Sequence, residues 1–267
     1  MTALLILGED VAHGALAGEL VRRTLLEHAE AVGAHWFVDH VDATLGWQGE
    51  ESLAEVRAGL RYTKSSAAAK KLRLRGARPE TRHAFPASSA PEAQYWRDVL
   101  TWARLSQDLE GIVVATDTDG FDRAVLAAVA QHLPDLDRPS APRPIVLAIA
   151  HPEAESWFVL GFVPTHEAER QRHGELVRAL GFDPVTAPHR LTARPNDAAT
   201  DAKRVLCGLL WGHHRAKAAG REQLPELLSR CLPAAAIIEA HGAACGIRAF
   251  VADVRHWLSP RFGLPPG

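Results

Sequence analysis

Acidic side chains stand directly after three apolar runs. Glu9 and Asp10 follow Leu4-Leu5-Ile6-Leu7, Asp117 and Asp119 follow Gly111-Ile112-Val113-Val114-Ala115, and Glu153 and Glu155 follow Ile145-Val146-Leu147-Ala148-Ile149-Ala150. Short apolar runs bounded by polar residues read as buried strands. In an open α/β sheet the carboxyl ends of the strands share one rim, so carboxylates far apart in sequence converge there. Clustered carboxylates repel one another, and a hard divalent cation such as Mg²⁺ relieves the repulsion while taking oxygen ligands. The pattern predicts a metal-dependent phosphoryl site.

Each acid also has an ordinary reading. The Asp117-x-Asp119 pair, whose side chains share one face of an extended chain, also fits a solvated turn or a helix N-cap in which Asp119 or Asp122 starts the helix at 121. Recurrence of the same junction at three places favours the metal. Glu153 follows Pro152 at an expected helix start, where a carboxylate also suits the helix dipole. His151, between strand and acids, is placed to contact phosphate or metal, whereas His173 and His213-His214 have no histidine partner one turn away and read as ordinary surface or core residues. There is no Gly-x-Ser-x-Gly elbow for a serine hydrolase, and no P-loop, so ATP hydrolysis by this chain is not expected.

A second feature is electrostatic. Between Arg61 and Arg82 lie eight cations, Arg61, Lys64, Lys70, Lys71, Arg73, Arg75, Arg78 and Arg82, against the single acid Glu80. The whole chain has a formal charge of −2, so the remainder is net acidic. Solvated helix surface is the ordinary explanation of such a run. An acidic metal rim acting on a polyanion needs a positive surface nearby, and Lys70, Lys71, Arg73 and Arg75 are the candidates for binding DNA or RNA through counterion release.

The elements that must hold these residues alternate at first. A helical pattern over 11–31 follows the first strand, and His35-Trp36-Phe37-Val38 reads as a short second strand with an acidic loop from Asp39 to Glu51 after it. Helices are expected over 52–60 and 62–75, a proline-rich loop near Pro79, Pro86 and Pro91, a helix over 92–107 and another over 120–133. A linker over 134–144 leads to the strand at 145–150. Beyond Pro164 helices are expected at 166–181, 200–217, 222–231, 233–242 and 246–258, with a linker over 191–201. The expected organisation is an α/β domain over 1–163 with a basic insertion around 61–90, then an α-helical part over 164–267. With 267 residues and 47% hydrophobic content, the chain can bury a full core. No run nears the roughly 18 apolar residues that span a membrane, and no basic region precedes the first strand, so the expected location is the cytoplasm. The widely spaced Cys207, Cys231 and Cys245 read as reduced structural thiols.

Leu4 to Glu9 and Ile112 to Asp119 together resemble the Toprim domain of topoisomerases, primases and the overcoming-lysogenization-defect nucleases, in which a Glu follows the first strand and Asp-x-Asp a later one. Ile145 to Leu160, with Glu153-Ala154-Glu155-Ser156-Trp157, is similar to uncharacterised bacterial Toprim-like families, some encoded beside ATPases. The resemblance implies a Rossmannoid, mostly parallel sheet flanked by helices and a nuclease that uses Mg²⁺ or Mn²⁺. It makes Asp117 and Asp119 metal ligands, Glu9 the general acid/base, and Glu155 or Glu153 part of a second metal position. Lys203, in Asp201-Ala202-Lys203, corresponds to a lysine that opens a later helix and contacts phosphate. It also implies an ATPase partner. One departure concerns the first acid. Toprim domains place the Glu immediately before a Gly, whereas here the order is Gly8-Glu9-Asp10; a shift by one residue changes the face of an extended strand, leaving Glu9 and Asp10 as alternatives. A catalytically silent Toprim-like scaffold that binds nucleic acid or a partner protein is the other expectation.

Overall fold

The structure, a computed structural model, describes residues 2–74, 91–105, 109–118, 126, 130, 143–193, 199–212 and 221–267. Asp119, Arg75, His213-His214 and most of the helix and linker expected over 120–144 lie outside the described residues, as does the side chain of Arg73.

The fold is α/β, a mostly parallel sheet with flanking helices. Strand β1 (Thr2–Gly8) pairs in parallel with β2 (Leu45–Gln48) along its first half and with β4 (Arg61–Lys64) at its end, while β5 (Gly111–Asp117) runs parallel along its other edge. β3 (Glu51–Ser52) pairs antiparallel with β4, and β6 (Ile145–Ala150) lies beyond β5. Leu4 to Leu7 are all buried, and β5 is buried along its whole length. Unbroken apolar runs are required here because a parallel sheet is covered on both faces.

Helix α1 (Val11–Ala31) begins one residue after Asp10, its N-cap. At Gly14 a Cβ would strike the Tyr62 ring, so the absence of a side chain lets the first turn of α1 lie against β4. Helix α2 (His35–Thr44) occupies the place where a strand was expected at His35 to Val38. Phe37 and Val41 are buried four residues apart while Trp36 stays half-exposed, which is a helical period that four aromatic and apolar residues alone are too short to reveal. The strand comes later, as β2. The helix expected over 52–60 is instead the loop of the β3–β4 hairpin, closed where the Leu53 N–H donates to the Leu60 carbonyl. Only the second part of 62–75 is helical, as α3 (Ser65–Leu74), followed by α4 (Pro91–Arg104).

The later helices fall close to expectation. They are α5 (Ala154–Leu160), α6 (Glu167–Leu180), α7 (Ala202–Trp211), α8 (Leu224–Cys231), α9 (Ala235–His241) and α10 (Ile247–Asp253), the last running on into a π-helical turn over Val254–Leu258. Contacts group the chain into two compact units. One comprises Met1–Ala115, Gly120–Leu147 and Ala252–Gly267; in it Phe37 meets Phe262 edge-on and His28 Nε2 bonds the Pro265 carbonyl at 2.8 Å. The other comprises Thr116–Asp119 and Ala148–Val251. Its core has Trp157 stacked on Phe250, and its fully buried Glu169 accepts from Arg230 and from the Thr165 N–H and hydroxyl. Cys207, Cys231 and Cys245 are buried thiols, and burial pushes the Cys231 thiol up to about 12. Among the described residues no helix is long and apolar enough to cross a membrane.

Candidate metal centre

The two acids that follow β1 have different surroundings. The pairing of β1 with β5 runs as far as Gly8↔Ala115, and the Glu9 N–H then donates to the Ala115 carbonyl at 3.3 Å, two residues short of Asp117 on the same strand. Asp10 has turned to start α1. Its Oδ1 accepts from the N–H groups of Ala12 (2.9 Å) and His13 (3.1 Å) and lies 2.7 Å from His13 Nδ1. Against the effect of burial, the His13 side chain and these N–H groups hold the Asp10 carboxyl down at about 2. Glu9 is exposed, while His13 and Asp117 are each 7% exposed.

Asp117 also belongs to a second group of charges. After β6 the chain turns through His151 and Pro152 to Glu153, the N-cap of α5, and Glu155 in its first turn. Glu153 is 1% exposed, and its Oε1 has no hydrogen-bond partner among the described residues. Lys203, in the first turn of α7, bonds the other oxygen of Glu153 and stands 3.7 Å from Glu155. Asp201, the N-cap of α7, fixes that turn by accepting from the Arg204 N–H at 2.8 Å. Burial raises the Glu153 carboxyl despite Lys203, with the charges of Asp117 and Asp201 adding to the rise. Burial likewise pushes Glu155 up to about 7, opposed by Lys203 and reinforced by Glu153 and Asp117. These carboxylates raise the Lys203 ammonium in turn, led by Glu155 and outweighing its own burial. Lys203 thus faces Glu153, Glu155 and Asp117 together.

The turn is held by backbone contacts. Thr118 donates its N–H to the Ala150 carbonyl at 3.0 Å, and its hydroxyl lies 2.7 Å from Nδ1 of the exposed His151. The His151 N–H and Trp157 Nε1 both donate to the Cys245 carbonyl, at 3.1 and 2.8 Å. Gly246 follows at φ +92, where a Cβ would collide with the carbonyl oxygen of Ile149.

The expected residues therefore separate. Asp117, Glu153, Glu155 and Lys203 interact with one another, Glu9 is exposed at the end of β1, and Asp10 is committed to its helix. Lys70 and Lys71 are exposed on α3, where Lys71 bonds Glu50; Arg61 bonds the carbonyls of Gly49 and Glu50. His13 was missed in the sequence. Its only signal was a histidine three residues after an acid at a helix start.

Comparison with known protein families, with curated proteins and with solved structures finds no match. The Toprim likeness stands on Leu4 to Glu9, Ile112 to Asp119 and Ile145 to Leu160 alone.

Proposed function

We propose that this chain is a Toprim-like, divalent-metal-dependent nuclease that hydrolyses phosphodiester bonds in DNA or RNA, working with an ATPase partner in bacterial defence or repair. The observation that supports this best is the gathering of acids about Asp117 at the end of a buried strand. Several carboxylate oxygens gathered at one turn fit a dication. By the Toprim resemblance Asp117 and Asp119, the latter outside the described residues, would hold it, and Glu153 or Glu155 would complete a second position. When bound, the ion supplies neutralisation of phosphoryl charge and a more acidic bound water.

The remaining roles belong to side chains. Glu9, exposed at the strand end, takes a proton from the attacking group or delivers one to the leaving oxygen. His151, steered by Thr118, donates to phosphate, and Lys203 both restrains the glutamates and offers a cation to the same anion. Exposed Lys70 and Lys71 contribute to nucleic-acid affinity. The silent-scaffold reading draws support from one observation, the pairing of Lys203 with both glutamates, since such a cluster is partly satisfied without an ion.

The test is cleavage of duplex DNA, single-stranded DNA and RNA with Mg²⁺ or Mn²⁺, by the chain alone and with a candidate ATPase partner. Asp117→Asn and Asp119→Asn should each abolish cleavage and leave the circular dichroism spectrum unchanged. Absence of cleavage by the wild type in every arm, with no metal-induced shift in melting temperature, would favour the scaffold.

A further inference from the structure

Resting on the metal-centre reading above, we infer that the Lys203 ammonium takes the place of a dication beside Glu153 and Glu155 while no ion is bound, is displaced when the ion enters, and only then reaches the substrate phosphate.

Three observations carry this, all within one compact unit of the chain. The first is placement. Lys203 Nζ bonds one oxygen of Glu153 and stands 3.7 Å from Glu155, where an ion shared by the two glutamates would also lie. The other oxygen of Glu153, Oε1, is buried and has no hydrogen-bond partner among the described residues. An ammonium has three protons to give, whereas a hard dication gathers about six oxygen ligands and can take both oxygens of one carboxylate. The second is freedom. The side chains of Glu153 and Glu155 are 1% and 7% exposed, and that of Lys203 is 30% exposed. The acids are therefore enclosed while the ammonium has a way out to solvent, and its flexible four-carbon stem lets the head move without the backbone. Asp201, the N-cap of α7, holds that backbone by accepting from the Arg204 N–H. The third is position on the helix. Lys203 lies in the first turn of α7, where the helix dipole disfavours a cation, so the carboxylates are what keep the ammonium there.

These facts set an order of events. Burial works against ionisation of both glutamates, and Lys203 opposes that effect. A doubly charged ion in the same place opposes it more strongly and repels the ammonium toward solvent. Without an ion, an anion arriving at the turn meets carboxylates and a lysine already paired. With the ion in place, a phosphate meets the ion and the released Lys203 together. The two roles of Lys203, restraining the glutamates and binding phosphate, thus follow one another, and the ion is the signal that passes between them.

The experiment uses the full chain, chelator-treated, with Mn²⁺ as the probe and two readouts independent of cleavage. Free Mn²⁺ is counted by electron paramagnetic resonance. Acylation of Lys203 by an amine-reactive ester is followed by mass spectrometry, with exposed Lys70 as the internal reference. In wild type, Mn²⁺ should speed the acylation of Lys203 relative to Lys70. Lys203→Met, which keeps the length and removes the charge, should tighten Mn²⁺ binding by about 10-fold or more, since a unit charge within about 4 Å of a dication is worth that much even in water. Should Lys203→Met not fold, the wild-type acylation decides alone. An acylation ratio that Mn²⁺ leaves unchanged, or a Lys203→Met variant that binds Mn²⁺ no more tightly than wild type, overturns the exchange; if Asp117→Asn still weakens Mn²⁺ binding, the metal centre stands. Unchanged Mn²⁺ affinity in both Asp117→Asn and Glu153→Gln overturns the metal centre and the exchange with it.

Discussion

Replacing Glu155 by Gln should stabilise the metal-free protein, and the gain should depend on pH. Glu155 is 6% exposed, and burial, opposed by Lys203 and reinforced by Glu153 and Asp117, pushes its carboxyl from 4.5 up to about 7. A carboxyl whose folded pKa lies above its unfolded value favours folding while it is protonated. That contribution is complete below about 4.5 and is lost as the pH rises through about 7. The gap, about 7 minus 4.5 or about 2.5 pH units, corresponds to about 3 kcal/mol at 1.36 kcal/mol per unit. Gln keeps the volume and cannot ionise. In chelator at pH 8, Glu155→Gln should therefore exceed wild type by about 3 kcal/mol, or about 6 °C at about 2 °C per kcal/mol for a chain of this size. The two should converge below pH 4.5. Thermal and urea unfolding from pH 4 to pH 8 measures this directly. A difference that does not grow with pH, or a variant weaker than wild type at pH 8, would refute the argument that burial raises the Glu155 carboxyl.

Two further outcomes follow from the same geometry. Replacing Lys70 and Lys71 by Ala should reduce the log–log salt slope of duplex DNA binding by about 0.9 for each phosphate that these lysines neutralise, with Lys71 contributing less because Glu50 already holds it; fluorescence anisotropy at several salt concentrations reads the slope. Gly246→Ala should cost about 3 kcal/mol or more in urea unfolding, since it combines a positive φ with a collision against a backbone carbonyl.

Much of the fold was legible because buried strands leave a strong trace. Leu4 to Leu7 and Ile112 to Ala115 are apolar without interruption, and a parallel sheet covered on both faces demands this. The misreadings at His35 to Val38 and at 52–60 came where the run was too short to show a period or where a hairpin closed over two buried leucines. The acidic rim was legible as a set of junctions. The different surroundings of Glu9 and Asp10 were not, because they depend on where β1 stops and α1 begins, which places Asp10 at the N-cap. Lys203 was reachable only by resemblance, since nothing in its local sequence announces two buried glutamates some fifty residues upstream.

The Cys245 carbonyl, which receives both the His151 N–H and the Trp157 indole, has a consequence for the order of synthesis. A chain leaving the ribosome presents every acid of the rim by residue 155, well before Lys203 and long before Cys245. The carboxylates are therefore made before their balancing cation and before the brace that fixes their turn. The contacts of Lys203 with Glu153 and Glu155, and of the Cys245 carbonyl with the turn, form only after the later helices are made. A fragment cut at residue 163 lacks Lys203 and the Cys245 carbonyl, and so lacks the groups that hold Glu153, His151 and Trp157.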